Sequence, residues 1–383
     1  MKRALGVTLG VLAGSFLVAF AVPPPAANVP FIGMDVKPAE RYSADQQRQI
    51  LNDMHAAGVK IVRAWVADET SYEFIRYANS LGIKIELTVP IQYQVNAVKR
   101  TAVKDAPQMY PNYPLSSADP TLTANTFQTQ LSRLEAMGIT AVAIEVGNEQ
   151  NNAGFNGEFK IYNATDPGSR KNFSAQDLHS DPEGQAIAAG FRQYVKVLAA
   201  VKSVRDRSTL NRHTPLLLGG LADTGEEKAW PGARTSAVSI SATIQYLREL
   251  GLDSIVDAYA IHTYPWRNGP GEPGPAANRR NRLEKFALSE CSASGRGKPC
   301  WVTEWGFQNQ ELSCPSNETD RATLVRELMS DFRPYIQQGR VVGLFYYVWS
   351  RDAWAKQEDP YSVFRCGALT ESGRLALDAG LLR

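Results

Sequence analysis

The alternation of short apolar segments with longer amphipathic ones is the feature that most constrains the fold of this 383-residue chain. The apolar segments predict eight strands, and apolar residues at helical spacing predict eight helices between and after them. Several helix-to-strand connections contain a glycine, which suits the left-handed residue that closes a helix. The predicted strands are 31–36, 60–66, 84–89, 140–146, 216–220, 256–263, 301–304 and 341–348, and the predicted helices are 44–57, 71–81, 121–137, 182–205, 235–250, 279–289, 318–338 and 372–381.

Eight strand and helix units in alternation predict an α/β fold, a single parallel (β/α)8 TIM barrel. In such a barrel the side chains that do chemistry collect at the C-terminal ends of the strands. The remaining length falls into long strand-to-helix loops, which lie on that same face. These loops are 90–120, 151–181, 265–278, 307–317 and 351–371.

The N-terminus predicts export. Met-Lys-Arg followed by an uncharged apolar run ends in the small-x-small sequence Ala-Phe-Ala, so residues 1–21 are predicted to be a signal peptide. Residues 22–30 are a Pro- and Ala-rich leader, and residues 31–383 form one predicted catalytic domain. The protein is therefore expected to be secreted, periplasmic or extracellular, with an uncleaved N-terminal membrane anchor as the alternative.

Charge restricts the class of partner. The chain has 41 Lys and Arg against 39 Asp and Glu, and signal cleavage removes two of the basic residues. A neutral mature protein gives no reason to expect nucleic acid or a membrane surface as its partner. We therefore expect a neutral substrate. The protein is also expected to be a monomer.

Four cysteines in an exported chain predict disulfides. Three pairings are possible in principle, and four buried thiols are the alternative. Cys291 and Cys300 flank a short polar turn, whereas Cys314 and Cys366 lie in two loops that a barrel brings together. We predict the pairs Cys291–Cys300 and Cys314–Cys366, and no spacing indicates zinc or a redox motif.

Two glutamates stand where predicted strands end. Glu149 closes the segment Ala-Val-Ala-Ile-Glu-Val-Gly-Asn-Glu after the fourth strand, and Glu304 lies in Trp-Val-Thr-Glu-Trp-Gly at the seventh. Hydrolysis of an acetal needs a proton for the leaving oxygen and a nucleophile or an activated water, and two carboxyl groups supply both. The pair therefore predicts a glycosidase that needs no metal and no cofactor.

The sequences around the two glutamates resemble motifs of a known enzyme family. Gly-Asn-Glu ending at Glu149 and Thr-Glu-Trp-Gly containing Glu304 resemble the signatures of clan A glycoside hydrolases, the retaining barrel enzymes that include family 5 cellulases and mannanases. The resemblance implies that Glu149 is the acid/base, Glu304 the nucleophile and Asn148 the partner of the sugar 2-hydroxyl. Gln150 stands where family 5 members often have Pro, so family 5-like and family 39-like membership both stay open.

Supporting residues also match that clan at Arg63, at His262-Thr-Tyr264 and at Trp349. Arg63 and the Tyr264 hydroxyl would keep the nucleophile ionised. His262 would hold the hydrogen-bond geometry of the site. Two alternatives stand: Arg63 neutralises Glu145 inside the barrel, and His262 is a purely structural residue.

Aromatic residues at strand ends and in loops predict sugar platforms, because a flat apolar ring packs on the apolar face of a sugar. Trp349 is the main predicted platform, and Asp35, Glu86 and Glu145 are assigned to a hydrogen-bond network inside the barrel. Further candidate platforms are Tyr93, Tyr110, Tyr113, Phe155, Trp266, Trp305 and Trp354.

These observations predict a retaining glycoside hydrolase that acts on a neutral β-linked polysaccharide or oligosaccharide, with an endo mode weakly favoured by the loops. Two other functions stay open. One is a non-catalytic barrel that binds glycans at the cell envelope, and the other is a transglycosylase that uses the same two carboxylates.

Overall fold

The computed structural model describes residues 30–37, 39–100, 112–162, 171–224, 235–265, 275–309, 313–315, 317–350 and 359–383. The predicted signal peptide and nearly all of the leader lie outside these residues. So do three of the candidate aromatic platforms, Tyr110, Trp266 and Trp354.

The described residues close a barrel of eight parallel strands, which confirms the predicted (β/α)8 fold. Each strand pairs with its neighbours in chain order, and β1 closes the barrel against β8. The strands are β1 Phe31–Val36, β2 Ile61–Trp65, β3 Lys84–Val89, β4 Ala143–Asn148, β5 Leu216–Ala222, β6 Ala258–Thr263, β7 Cys300–Trp305 and β8 Val341–Trp349.

Six of the described barrel helices begin at side-chain caps that the sequence supplies. Ser43 and Gln46 form a reciprocal capping box, and Asp119 and Asp181 each cap a helix whose first residue is proline. The helices are α1 Ala44–Ala56, α2 Glu69–Ser80, α3 Pro120–Ala136, α4 Pro182–Arg207, α5 Ile240–Glu249, α6 Pro275–Arg282, α7 Thr319–Gln337 and α8 Glu371–Ala376.

The main difference from prediction lies before α5. The helix predicted over 235–250 begins only at Ile240, because the Ser239 side chain caps it and accepts from the backbone of Ala242. The two preceding residues, Ala237–Val238, form a short strand that pairs with Asn172–Phe173.

Large rings fill the N-terminal end of the barrel. Trp301 stacks on Phe345 at 5.9 Å between ring centroids and on Phe31 at 5.0 Å. Gly343 makes room for this packing, since a Cβ there would lie 2.4 Å from the Trp301 ring.

Extra residues interrupt the alternation of the last two strands. In β7, Val302 and Glu304 pair with consecutive residues of β6, so one residue is inserted between them. In β8, Tyr346 and Trp349 pair with Met34 and Val36, which inserts another. Each bulge reverses which face the following side chains occupy.

Both predicted disulfides are present. Cys291 and Cys300 have Cα atoms 5.5 Å apart, and Cys314 and Cys366 have Cα atoms 5.7 Å apart. Among the described helices, none combines the length and the apolar character that a membrane span requires.

Candidate active site

Five predicted site residues meet at the C-terminal end of the barrel. Glu149, Glu304, His262, Tyr264 and Arg63 come from four different strands or the residues directly after them. They form one connected set of hydrogen bonds and ion pairs. The predicted convergence of strand ends therefore holds for these residues.

Glu304 faces this cluster because of the bulge in β7. Its Oε1 accepts from Arg63 Nη1 at 2.8 Å, and its Oε2 accepts from the Tyr264 hydroxyl at 2.5 Å. Its side chain is 12% exposed, so one edge of the carboxylate remains accessible. Burial and the charge of Glu304 raise the pKa of Tyr264 well above its ordinary value, which keeps the phenol protonated as a donor.

Two unusual backbone conformations shape the turn that follows β4 and carries Glu149. Gly147 has φ +84° and Glu149 has φ +49°, the left-handed region that a side chain other than Gly rarely adopts. The backbone N–H of Glu149 donates to the Gly220 carbonyl at 2.7 Å, which anchors the turn. Its Oε1 lies 2.8 Å from His262 Nδ1, and its Oε2 accepts from Asn152 Nδ2 at 2.9 Å.

His262 joins the two glutamates. Its Nδ1 lies 2.8 Å from Glu149 and 3.5 Å from Glu304, and the ring is fully buried against Gly220, where a Cβ would lie 2.0 Å from Nε2. Burial lowers the pKa of His262, but the charges of Glu304 and Glu149 outweigh it and leave the pKa raised. The imidazole therefore takes part in the ionic network of the site.

Arg63 makes the contacts that both of its predicted roles require. Its Nε and Nη2 donate to the two oxygens of Glu145 at 3.2 and 2.8 Å, and its Nη1 donates to Glu304 and, at 3.1 Å, to Asp35. Nη2 also donates to Asn148 Oδ1 at 3.0 Å, which fixes the amide that follows β4. Burial lowers the pKa of Arg63, but the surrounding carboxylates raise it well above its ordinary value.

Two predicted substrate-binding residues do not face the site. Trp305 and Trp349 are both 0% exposed and belong to the apolar core between strands and helices. Trp305 packs edge-on against Phe332 of α7, and Trp349 stacks on Phe364 at 5.1 Å. The prediction of a sugar platform at either indole is wrong, because each follows a bulge that turns it outward.

The sequence did not single out Tyr347, which the same bulge leaves on the inner face. Its ring packs edge-on against Tyr264 at 6.0 Å and against Tyr361 at 5.8 Å. Lys37 donates to its hydroxyl at 2.9 Å and pairs with Asp359 at 2.5 Å. Strand alternation places Tyr347 on the same inner face as Phe345. The family resemblance pointed instead to Trp349, two residues later.

The loop aromatics pack mainly against one another. Tyr93 stacks on Tyr113 at 4.8 Å, and the Lys99 ammonium lies 4.9 Å from the Tyr113 ring centre. Phe155 is 41% exposed in the loop after β4. Arg100 ties these two loops together by donating to backbone carbonyls of 153–159.

One group among the described residues has the spacing of a metal site. Atoms of Glu149, His262 and Glu304 lie within 4.8 Å of one another. All three atoms already have hydrogen-bond or ion-pair partners within the cluster. The same spacing is what two carboxyl groups need to act on one acetal carbon and its leaving oxygen.

Comparison with known proteins shows similarity in structure. Neither a protein-family model nor a curated protein matches the sequence. A family 39 glycoside hydrolase from the gut symbiont Bacteroides cellulosilyticus matches with a TM-score of 0.51 at 18% identity, over 94% of this chain and 66% of that one. The chain thus spans just under two thirds of that protein's length.

Two further structures are matched over nearly their whole length. Fungal β-1,4-galactanase matches with a TM-score of 0.51 at 13% identity, over 90% of this chain and 99% of that one. The endo-1,4-β-mannanase of Rhizomucor miehei matches with a TM-score of 0.50 at 12% identity, over 92% and 94%. The chain therefore has the (β/α)8 fold found in these glycoside hydrolases.

Proposed function

We propose that the protein is an exported retaining glycoside hydrolase that cleaves a neutral β-linked polysaccharide or oligosaccharide. The observation that carries the proposal is the spacing of Glu149 and Glu304, whose nearest carboxylate atoms lie within 4.8 Å across one cluster. Retaining enzymes hold their two carboxyl groups about 5 to 5.5 Å apart, whereas inverting enzymes need about 6.5 Å or more to admit a water.

The surroundings of Glu304 suit a nucleophile. Arg63 and Tyr264 each donate to one of its oxygens, which favours the ionised carboxylate. In the first step a Glu304 oxygen forms a bond to the anomeric carbon, and the bond from that carbon to the leaving oxygen breaks. The product is a glycosyl ester on Glu304.

The surroundings of Glu149 suit an acid that becomes a base. Its contact with His262 Nδ1 at 2.8 Å orients the Glu149 carboxyl group. In the first step Glu149 passes a proton to the leaving oxygen. In the second step Glu149 removes a proton from water, whose oxygen attacks the anomeric carbon and releases the Glu304 carboxylate, so both groups return to their starting state.

The charges near the site favour a neutral sugar. Arg63 is held by the two oxygens of Glu145, and Lys37 pairs with Asp359 at 2.5 Å, so these cations already have protein partners. Tyr347 offers the aromatic face that the buried tryptophans do not. Asn148, held by Arg63, is the candidate partner of the sugar 2-hydroxyl.

The test is a screen of neutral β-linked polysaccharides and 4-nitrophenyl β-glycosides with the secreted wild type, Glu304→Gln and Glu149→Gln. We expect each variant to lose at least about 10³-fold in kcat on any substrate that the wild type turns over. Glu69→Gln is the matched control, because Glu69 is an exposed residue of α2 whose ion-pair partner is Arg133, outside the cluster of Glu149 and Glu304. Undiminished turnover by Glu304→Gln would refute its role as the nucleophile.

Product analysis separates the remaining alternatives. Proton NMR of the first product should show the β-anomer, and appearance of the α-anomer would exclude retention. Longer glycans among the products would indicate transfer to sugar in place of water. Binding of a polysaccharide without any turnover would favour the non-catalytic barrel.

A further inference from the structure

Asp35 and Glu304 share one nitrogen. Arg63 Nη1 donates to Asp35 Oδ1 at 3.1 Å and to Glu304 Oε1 at 2.8 Å. The two carboxyl groups come from β1 and β7 and meet only through this guanidinium. The protonation state of Asp35 therefore affects how strongly Arg63 stabilises a negative charge on Glu304.

Asp35 is not needed to orient Arg63. The guanidinium is held in two places by Glu145, and Glu145 Oε1 also accepts from the Gly220 backbone at 2.8 Å. This two-point contact fixes the plane of the guanidinium. The contact with Asp35 needs an explanation other than holding the arginine in place.

The charges around Arg63 do not balance if every acid is ionised. Within the described residues this one guanidinium contacts four carboxyl groups, those of Asp35, Glu86, Glu145 and Glu304, at 2.8 to 3.5 Å. All of them are nearly or fully buried, where uncompensated charge is costly. Some of these groups must therefore retain a proton.

The groups that face Asp35 come from several strands. Arg63 of β2 and His262 of β6 favour its ionised form, whereas Glu304 of β7 opposes it. Glu86 of β3 interacts with it as a like charge. On β8 the nearest titratable residue is Tyr347, whose pKa is raised to about 12 and which is neutral.

Asp35 has the surroundings of a neutral acid. Its Oδ2 is buried and has no hydrogen-bond partner among the described residues. A charged oxygen left in that state costs more than a hydroxyl. Burial and the charge of Glu304 raise the pKa of Asp35, Arg63 lowers it, and the net result is a pKa well above its ordinary value.

We propose that Asp35 is a positioning residue that stands in the barrel as a neutral carboxylic acid, so that Arg63 Nη1, which donates to both carboxyl groups, delivers its charge to Glu304. An ionised Asp35 would compete for Arg63 and repel the carboxylate beside it. The inference rests on the proposed role of Glu304 as the nucleophile, but its first test does not require turnover.

The first test is the melting temperature of wild type and Asp35→Asn from pH 4 to pH 8. A group that binds its proton more tightly when folded stabilises the fold fully below its unfolded pKa of about 3.9, and that contribution is lost as the pH rises. Asn stays neutral, so the Tm of the variant should rise relative to that of the wild type by about 2 °C for each pH unit in that range. A difference that stays constant or reverses would overturn the proposal, as would failure of this variant to fold.

Glu145→Gln is the matched control for this series. This substitution also removes a carboxylate that contacts Arg63. Unlike Asp35, however, Glu145 contacts the guanidinium through both of its oxygens. It should lower the Tm at every pH above 5, because it breaks a buried ion pair. If Asp35→Asn behaved like Glu145→Gln, Asp35 would be an ionised partner of Arg63 and the proposal would be wrong.

The second test is the acidic limb of the pH profile of kcat/KM on a 4-nitrophenyl β-glycoside that the wild type hydrolyses. If Asp35 is neutral, Asp35→Asn leaves this limb in place. If Asp35 is ionised, removal of its negative charge should move the limb to lower pH by roughly 1 to 3 units, the effect of a charged neighbour within about 4 to 6 Å. If no glycoside is hydrolysed, the proposed function fails, while the Tm series still decides the state of Asp35.

Discussion

Removal of the Tyr264 hydroxyl should make the proposed nucleophile harder to ionise. Tyr264→Phe deletes the 2.5 Å donor to Glu304 Oε2 and keeps the ring. The ring still packs edge-on against Tyr347 and Tyr361, so the variant is expected to fold. What changes is the stabilisation of one carboxylate oxygen.

The size of the effect follows from that one bond. A hydrogen bond to a charged group contributes about 1.5 to 3 kcal/mol, and about 1.4 kcal/mol corresponds to one pH unit. The next potential donor to Oε2 is His262 Nδ1 at 3.5 Å, too far to replace the phenol. The acidic limb of kcat/KM should therefore move up by roughly 1 to 2 pH units.

The assay is the pH dependence of kcat/KM between pH 3 and 8 on one substrate for both proteins. Tyr361→Phe is the control, because its hydroxyl accepts from Gln308 and lies one ring away from Glu304. The control should leave the acidic limb unchanged. An acidic limb that stays in place or moves down in Tyr264→Phe would refute the assignment of Tyr264 as the donor that keeps Glu304 ionised.

Four further outcomes can be checked in unfolding or kinetic experiments. Gly147→Ala should lower the free energy of unfolding by about 1 to 2 kcal/mol and reduce kcat, because φ is +84° there and the new Cβ meets Ile91 at 3.0 Å. His262→Asn should destabilise the fold most below pH 6.5 and progressively less as the pH rises above it, since a raised folded pKa adds stability that is lost as the pH rises through it; a constant difference would contradict this. Replacing Cys314 and Cys366 by Ala should cost about 4 kcal/mol by the chain-entropy estimate for a 52-residue separation, measured by denaturant unfolding. Trp349→Ala should lower stability by about 3 to 5 kcal/mol, as expected for a core residue, and a variant with a raised KM but unchanged stability would restore the platform hypothesis.

The architecture was predictable because local signals agree with one another along this chain. Predicted and observed strands start within about three residues of each other, and Gly58, Gly82, Gly138 and Gly251 all have positive φ where helices end. The short strand before α5 was not predictable in this way. Its partner lies 65 residues earlier in the chain, so no local pattern encodes the pairing.

The acids and Arg63 were predictable because a parallel barrel brings strand ends together whatever the loops do. The double role of Arg63 was open at the level of sequence. A guanidinium has five N–H groups, and the structure directs three toward Glu145 and Asn148 and the other two toward Asp35 and Glu304. Counting donors in that way requires distances, which alternation alone does not provide.

Strand bulges explain both why Trp305 and Trp349 were wrongly predicted to face the site and why Glu304 does face it. Strict alternation from Trp301, which lies inside the barrel, would turn Glu304 outward, and only the extra residue in β7 brings it into the site. That insertion necessarily turns Trp305 into the helical layer, and the insertion in β8 does the same to Trp349 while Tyr347 stays inside. A motif match predicts the position of Glu304 correctly because the motif includes the bulge, but it gives no information about which neighbouring side chain the bulge turns outward. Aromatic residues next to a strand-end acid should therefore be assigned to a site only after the register of that strand is known.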